Sequence, residues 1–123
     1  MPTNLETTKK VYELFNQGDV STFVRDIVDT TCNWTTSAGI FKGRQEITDF
    51  FTLVAENLDF SNVTPREMIE QGETIVVIGT TSFRVKKTGR TIEEGFVHII
   101  KYNQGRMVFF KEYTDTAPFD LMA

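Results

Sequence analysis

Three runs of residues fill the second half of the chain: TIVVIGTTSFRVK (74–86), RTIEEGFVHIIKY (90–102) and RMVFFKEYTDT (106–116). Their content of β-branched and aromatic residues is typical of strands. The joints between them, Lys87-Thr88-Gly89 and Asn103-Gln104-Gly105, are three residues long and end in glycine. This pattern is typical of a type I turn followed by a glycine bulge, so the runs predict an antiparallel meander.

The first half of the chain has the period of helices rather than strands. Thr3 and Glu6 have the spacing of a capping box, and Gly18 is suited to a left-handed cap at the end of the same helix. A second, short helix is predicted to follow Asp19 or Ser21.

A third helix and a short strand follow in this half. Apolar residues between Gly43 and Asp59 recur at the helical positions i, i+3, i+4 and i+7. Before that helix, Cys32, Trp34 and Thr36 alternate with polar neighbours, which predicts a strand.

The remaining segments complete an α+β fold. A polar strand is predicted at 63–71, and Pro65 suits an edge position or a bulge in it. Asp115 is predicted to cap a terminal helical turn. Helices first and a meander afterwards predict a curved antiparallel sheet with three N-terminal helices packed on one face.

Composition limits the classes of protein to consider. The 123 residues are 40% hydrophobic and 24% charged, which predicts a single domain over residues 1–123. With 17 Asp and Glu against 13 Lys and Arg, the chain fits neither nucleic acid nor a membrane surface as a partner. One cysteine and one histidine give no disulfide and no transition-metal set, so we expect a cytoplasmic protein without a cofactor.

The last two strands are apolar on both faces, whereas a sheet with one face in water should alternate. Three helices cover one face of a sheet, so the second apolar face predicts a homodimer. The residues of this outer face are predicted to be Val97, Ile99, Met107 and Phe109.

His98, the single histidine, lies in the middle of a strand among apolar residues. With a three-residue loop before Arg106, His98 pairs with Phe110, and Glu112 is its diagonal neighbour on the same face, with Cβ atoms about 7 Å apart. A histidine beside a carboxylate on an aromatic face is competent for proton transfer.

Two alternatives stay open at this point. A two-residue loop would place His98 beside Lys111 and Tyr113 instead. His98 and Glu112 could also be structural groups that satisfy each other at the rim of a core.

The first joint extends this face to a third strand, because a three-residue loop sets Ile78 opposite His98. A mostly apolar face with a few convergent polar groups is typical of a small-molecule pocket. The predicted pocket face contains Ile78, Thr80, Phe96, His98, Phe110, Glu112 and Thr114. Trp34 is a further candidate for the wall, and its indole N–H needs a partner.

Several short motifs occur in a characteristic order along nearly the whole chain. They are Gly18-Asp19, Trp34 with Gly39, Gly43-Arg44 with Ile47, Phe50 and Phe51, Gly72-Glu73, His98 before Gly105, and Glu112-Tyr113-Thr114-Asp115-Thr116. Together they resemble the SnoaL-like branch of the nuclear transport factor two-like superfamily, which also holds ketosteroid isomerases and limonene epoxide hydrolases.

The resemblance implies a cone-shaped α+β fold whose curved sheet wraps a pocket closed by helices, and homodimers formed through the outer sheet face. It implies that a strand histidine and a carboxylate act on the substrate, and these positions correspond to His98 and Glu112. The carboxylate in cyclases of this branch is typically Asp in a His-Trp-Asp motif, whereas this chain has Phe110-Lys111-Glu112. The family also uses the residue at Phe51 in its pocket.

The residues that the resemblance implies for ketosteroid isomerases are not all present in this chain. The resemblance places the isomerases' proton-shuttling Asp near Thr35 or Thr36 and their first-helix Tyr near Val11, and neither group stands there. Their oxyanion-hole acid falls at His98. Steroid isomerisation is therefore not expected, and no Arg-Asp pairing of the epoxide hydrolases is recognisable.

Three hypotheses for function follow. The first is a cofactor-free isomerase, cyclase or lyase-type enzyme in which His98 and Glu112 act as acid and base on a small, apolar carbonyl compound. The second is a non-catalytic binder of such a ligand, and the third is a protein-interaction scaffold. For the first two we predict one cavity with His98 at its polar end, lined by Trp34, Phe51, Phe96 and Phe110, with Thr114 as a further ligand contact.

Overall fold

A computed structural model describes residues 2–115 of the chain. Three helices and six strands follow one another in these residues: α1 (Asn4–Gln17), α2 (Val20–Asp26), β1 (Val28–Thr36), β2 (Gly39–Lys42), α3 (Gly43–Asn57), β3 (Leu58–Gln71), β4 (Thr74–Val85), β5 (Thr91–Asn103) and β6 (Arg106–Thr114). The predicted terminal turn after Asp115 lies outside the described residues.

The caps predicted from the sequence are confirmed. Thr3 and Glu6 form a reciprocal capping box at the start of α1, with hydrogen bonds of 3.0 and 3.1 Å. Gly18 ends the helix in the left-handed conformation at φ 70°. The side chain of Asp19, rather than Ser21, caps α2 by accepting from the amide of Thr22.

The strands form one curled sheet in the order β2-β1-β6-β5-β4-β3, with the helices and the core on its concave face. The α+β cone is thus confirmed, but the sheet is mixed rather than antiparallel because β1 runs parallel to β6. The short β2, absent from the prediction, forms a hairpin with β1. Pro65 stands at a bulge of the edge strand β3, as predicted.

The register predicted for β5 and β6 is wrong. Asn103 pairs with Arg106, so the turn is a two-residue type I′ turn in which Gln104 and Gly105 have φ 51° and 79°. A bulge at Val108 then shifts the ladder by a further residue.

The turn and the bulge each have a consequence for side chains. The turn pairs Met107 with the buried Tyr102, so Met107 lies in the core and does not belong to the outer face as predicted. The bulge sets Glu112 directly opposite His98, a pairing that differs from both loop alternatives.

The register predicted for β4 and β5 is wrong by one residue. The joint has four residues, 86–89, because Val85 rather than Lys86 pairs with Arg90: the amide of Val85 donates to the carbonyl of Arg90 at 2.8 Å. The amide of Lys86 faces the other side of β4 and donates to the carbonyl of Asn57, in register with the β3–β4 ladder. Val77, not Ile78, therefore lies opposite His98. Ile78 and Thr80 are exposed, on the opposite face from the one predicted.

Across the described residues, no helix has the length and apolar character needed to cross a membrane.

Candidate active site

A cavity of about 520 Å³ lies between the helices and the concave face of the sheet. Five strands contribute polar residues to its lining: Thr36 from β1, Asp59 from β3, Thr81 from β4, Glu94 and His98 from β5, and Glu112 from β6. Most of its wall is apolar, and the aromatic residues in it are Phe15, Trp34, Phe50, Phe51, Phe60, Phe83, Phe96 and Phe110. An apolar wall with few polar groups is the usual composition of a small-molecule site.

His98 is held on the wall of the cavity by aromatic rings. Its side chain is 3% exposed, and its imidazole stacks on Phe96 with ring centroids 4.0 Å apart and planes at 16°. Phe110 covers another side at 4.6 Å. Burial lowers the pKa of His98 below its ordinary value of 6.5, although the hydrogen bond and charge of Glu112 act in the opposite direction. His98 is therefore neutral at neutral pH.

A hydroxyl from α1 determines which nitrogen of His98 carries the proton. The Tyr12 hydroxyl lies 2.6 Å from His98 Nδ1. Burial raises the pKa of Tyr12 well above 10, so the phenol keeps its proton and can donate a hydrogen bond to Nδ1. Oε2 of Glu112 lies 2.8 Å from Nε2 and accepts from it, which leaves Nδ1 as the acceptor for the phenol. The neutral imidazole then has its own proton on Nε2.

Glu112 is the acceptor of that Nε2–H. Its Oε2 lies 2.8 Å from His98 Nε2, and because His98 is neutral this contact is a hydrogen bond rather than an ion pair. The side chain of Glu112 is 27% exposed and borders the cavity. Within residues 2–115, its other oxygen, Oε1, takes part in no hydrogen bond.

Thr36 lies beside Glu112 on the neighbouring strand. Thr35 pairs with Lys111 in the parallel ladder, which places Thr36 level with Glu112 on the concave face. The Thr36 hydroxyl oxygen accepts from the amide of Ala38 at 3.1 Å, so its proton remains available to donate.

Trp34 forms the floor of the cavity next to these groups. Its indole stacks on Phe110 with ring centroids 3.7 Å apart and planes at 8°. Its Nε1–H is buried and has no hydrogen-bond partner among the residues that the structure describes. A buried donor without a partner costs about 1–3 kcal/mol.

The structure brings together most of the side chains predicted for the site. Trp34, Phe51, Phe96, Phe110, His98 and Glu112 all border the same cavity. Thr114, on β6, pairs with Phe96 of β5. It is not among the described residues that line the cavity.

Several polar groups were not predicted from the sequence, among them Tyr12, Thr36, Thr81 and Glu94. Tyr12 lies one position after Val11, near which the resemblance places the isomerases' tyrosine. Its phenol needs a buried partner, and this was the signal that could have identified it.

Comparisons with known proteins agree with this architecture. The SnoaL-like domain family matches residues 8–110. The chain therefore belongs to the SnoaL-like domain family. None of the curated proteins matches it in sequence.

Solved structures are similar over almost the full chain. An NTF2-like protein of unknown function from Burkholderia pseudomallei K96243 is 28% identical, with a TM-score of 0.89 over 100% of this chain and 99% of its own. TerC, co-crystallised with polyporic acid, is 26% identical, with a TM-score of 0.84 over 97% of each chain. A putative SnoaL-like polyketide cyclase from Mesorhizobium loti is 16% identical and shares the fold, with a TM-score of 0.77 over 91% of this chain and 99% of its own.

Proposed function

We propose that this protein is a cofactor-independent enzyme of the isomerase or cyclase type that acts on a small, largely apolar carbonyl compound. The observation that carries the proposal is the carboxylate of Glu112 at the edge of an aromatic cavity, held by a neutral His98 that Tyr12 orients. A fixed base in a partly dehydrated site is the arrangement needed to remove a proton next to a carbonyl.

The reaction step follows from the hydrogen bonds already present. His98 holds Oε2, so Oε1 of Glu112 takes the proton from the carbon next to the carbonyl. The electrons of that C–H bond form the C=C bond of an enolate, and the carbonyl oxygen takes the negative charge. The hydroxyl of Thr36 donates to this oxygen. In an unsaturated ketone the enolate is a dienolate, and return of the proton from Glu112 to its γ-carbon moves the C=C bond and isomerises the substrate. In a substrate with a second carbonyl, the enolate carbon attacks that carbonyl carbon, and the alkoxide that forms takes the proton from Glu112, which closes the ring and restores the base.

The size of the cavity supports a small organic ligand. Its volume of about 520 Å³ is within the range of pockets that enclose small ligands. The co-crystallisation of TerC with polyporic acid, at 26% identity, supports the same class of ligand for this chain.

The test is proton exchange next to a ketone. In deuterated water, the protein is expected to speed the replacement of the α-protons of benzylacetone by deuterium, measured by NMR against buffer. Lys111→Gln, on the opposite face of β6 from Glu112, is the control and should exchange as fast as the unmodified protein. Binding of the ketone without exchange would contradict the enzyme and support the non-catalytic binder. Absence of binding would support the scaffold.

We also propose that the protein is a homodimer through the convex face of the sheet. Val76, Ile78, Val97 and Ile99 lie there in adjacent pairs of β4 and β5, with Phe109 on β6. Soluble monomers rarely expose a contiguous apolar area of this kind.

Ile78→Glu is expected to convert the dimer into a monomer, because a charge would be buried at the centre of the interface. Ile78 is 38% exposed in the protomer, so the substitution leaves the core intact. Leu53→Glu, on α3 with the same 38% exposure, is the matched control and should remain dimeric. The measurement is sedimentation at tens of micromolar, and an unmodified protein that sediments as a monomer would refute the dimer.

A further inference from the structure

The cavity has a second polar end, formed by Glu94 on β5 and Thr81 on β4. The two residues pair directly across the strands, and both border the cavity. Glu94 and His98 face the same side of β5 four residues apart, which is about 13 Å at the rise of a strand. Glu94 and Thr81 are therefore far from Glu112 and take no part in the proposed proton transfer.

This second end accepts hydrogen bonds. The Thr81 hydroxyl donates its proton to the carbonyl of Asn62 at 2.9 Å, which leaves its oxygen as an acceptor. The carboxyl group of Glu94, 8% exposed, offers an acceptor oxygen in either protonation state. A ligand group that reaches this end is therefore favoured if it is a donor.

The charges around the cavity also favour a hydrogen-bond donor, rather than an anion, on the ligand. All 13 Lys and Arg of the sequence lie within the described residues, and none of them lines the cavity. The acidic groups that line it are Asp59, which is ion-paired with Arg84 and Lys86, and the carboxyl groups of Glu94 and Glu112. A carboxylate on the ligand would lie beside Glu94 or Glu112 with no cation in the wall of the cavity, which is unfavourable.

We propose that Glu94 and Thr81 form a distal subsite that selects ligands with a hydrogen-bond donor, a hydroxyl or an ammonium, at the end opposite the carbonyl. The substrate class is then an elongated apolar compound with an enolisable carbonyl at one end and a donor at the other. This inference rests on the proposed function only for the carbonyl end.

The test compares four ligands of one shape: benzylacetone and its para-hydroxy, para-methoxy and para-carboxy derivatives. Binding is followed through the fluorescence of Trp34, the single tryptophan, which lines the cavity. The hydroxy compound is expected to bind about tenfold more tightly than the methoxy compound, since it donates a hydrogen bond to a buried acceptor. The carboxy compound is expected to bind most weakly.

Two variants assign the preference to the subsite. Glu94→Met removes the acceptor and should bring the hydroxy and methoxy compounds to within about twofold of each other. Glu94→Gln keeps one acceptor oxygen and should give an intermediate preference of about threefold. Glu93→Met is the matched control: Glu93 precedes Glu94 on β5 but is exposed on the other face, and the tenfold preference should remain.

The proposal is overturned if the unmodified protein binds the hydroxy and methoxy compounds equally, or if it binds none of the four. It is also overturned if the full tenfold preference survives in folded Glu94→Met or, where that variant does not fold, in Glu94→Gln. These outcomes concern binding, whereas the proposed function is tested by proton exchange. A protein that exchanges α-protons but shows no preference would therefore lose the subsite and keep the proposed reaction.

Discussion

Replacing Glu112 by Gln is expected to slow α-proton exchange of benzylacetone about 10²–10⁴-fold, the usual contribution of a general base. Glutamine has the size of glutamate, and its oxygen can still accept the hydrogen bond from His98 Nε2–H. The amide then turns its NH₂ group toward the cavity, and this group cannot take a proton. Exchange is measured by NMR in deuterated water.

A binding measurement distinguishes loss of the catalytic base from loss of the whole binding site in this variant. The Kd of benzylacetone, measured through Trp34 fluorescence, is expected to change less than about threefold in Glu112→Gln, since no apolar contact is removed. Glu93→Gln makes the same chemical change on the exposed face of β5 and should retain full exchange. Exchange that continues at the unmodified rate in Glu112→Gln would exclude Glu112 as the base.

Replacing Gly79 by Ala is expected to lower the free energy of unfolding by about 3 kcal/mol, the upper end of the usual cost of overpacking. A methyl group on Gly79 would collide with the backbone carbonyl of Thr64 on the edge strand and would come within 2.5 Å of Cζ of Phe96. The Phe96 ring cannot retreat freely, because it stacks on His98 at 4.0 Å. The substitution should therefore disturb the position of His98 as well as stability. Urea denaturation measures the first effect and benzylacetone binding the second.

Gly95→Ala provides the matched control. Gly95 lies on β5 next to this pair, and a methyl group there would meet Asp115 Oδ2 at 3.4 Å, an ordinary contact. Neither glycine has a positive φ, so both substitutions test space rather than backbone strain. We expect the control to change stability by less than about 1 kcal/mol. Equal midpoints for the two variants would show that the contact between Phe96 and Gly79 is not tight.

Local signals made most of the fold predictable. The capping box at Thr3, the left-handed cap at Gly18 and the Pro65 bulge each depend on a few neighbouring residues, and each is confirmed. Loop lengths were not predictable in the same way. The joint after β4 has four residues because Val85 pairs with Arg90 and the amide of Gly89 donates to the carbonyl of Val85, and the motif Lys87-Thr88-Gly89 does not distinguish this turn from a three-residue loop.

Prediction of the candidate site required both local sequence patterns and the correct loop lengths. The register error between β5 and β6 amounts to two positions, which keeps Glu112 on the same face as His98 because side chains alternate with a period of two. The single-residue error between β4 and β5 moved Ile78 and Thr80 to the wrong face for the same reason. Tyr12 was missed because its role exists only after α1 packs on the sheet.

The parallel pairing of β1 with β6 has a consequence for the order of folding. The meander of β3 to β6 joins neighbours in sequence, whereas β1 must find a strand near the opposite end of the chain. Pairing over such a distance closes a long loop and is slow. The meander carries His98 and Glu112, but Tyr12, Trp34 and Thr36 arrive with the N-terminal segment. We therefore expect the cavity to be completed late in folding, and an opening of the β1–β6 seam would separate Trp34 and Thr36 from His98 and Glu112 while β3 to β6 stay paired.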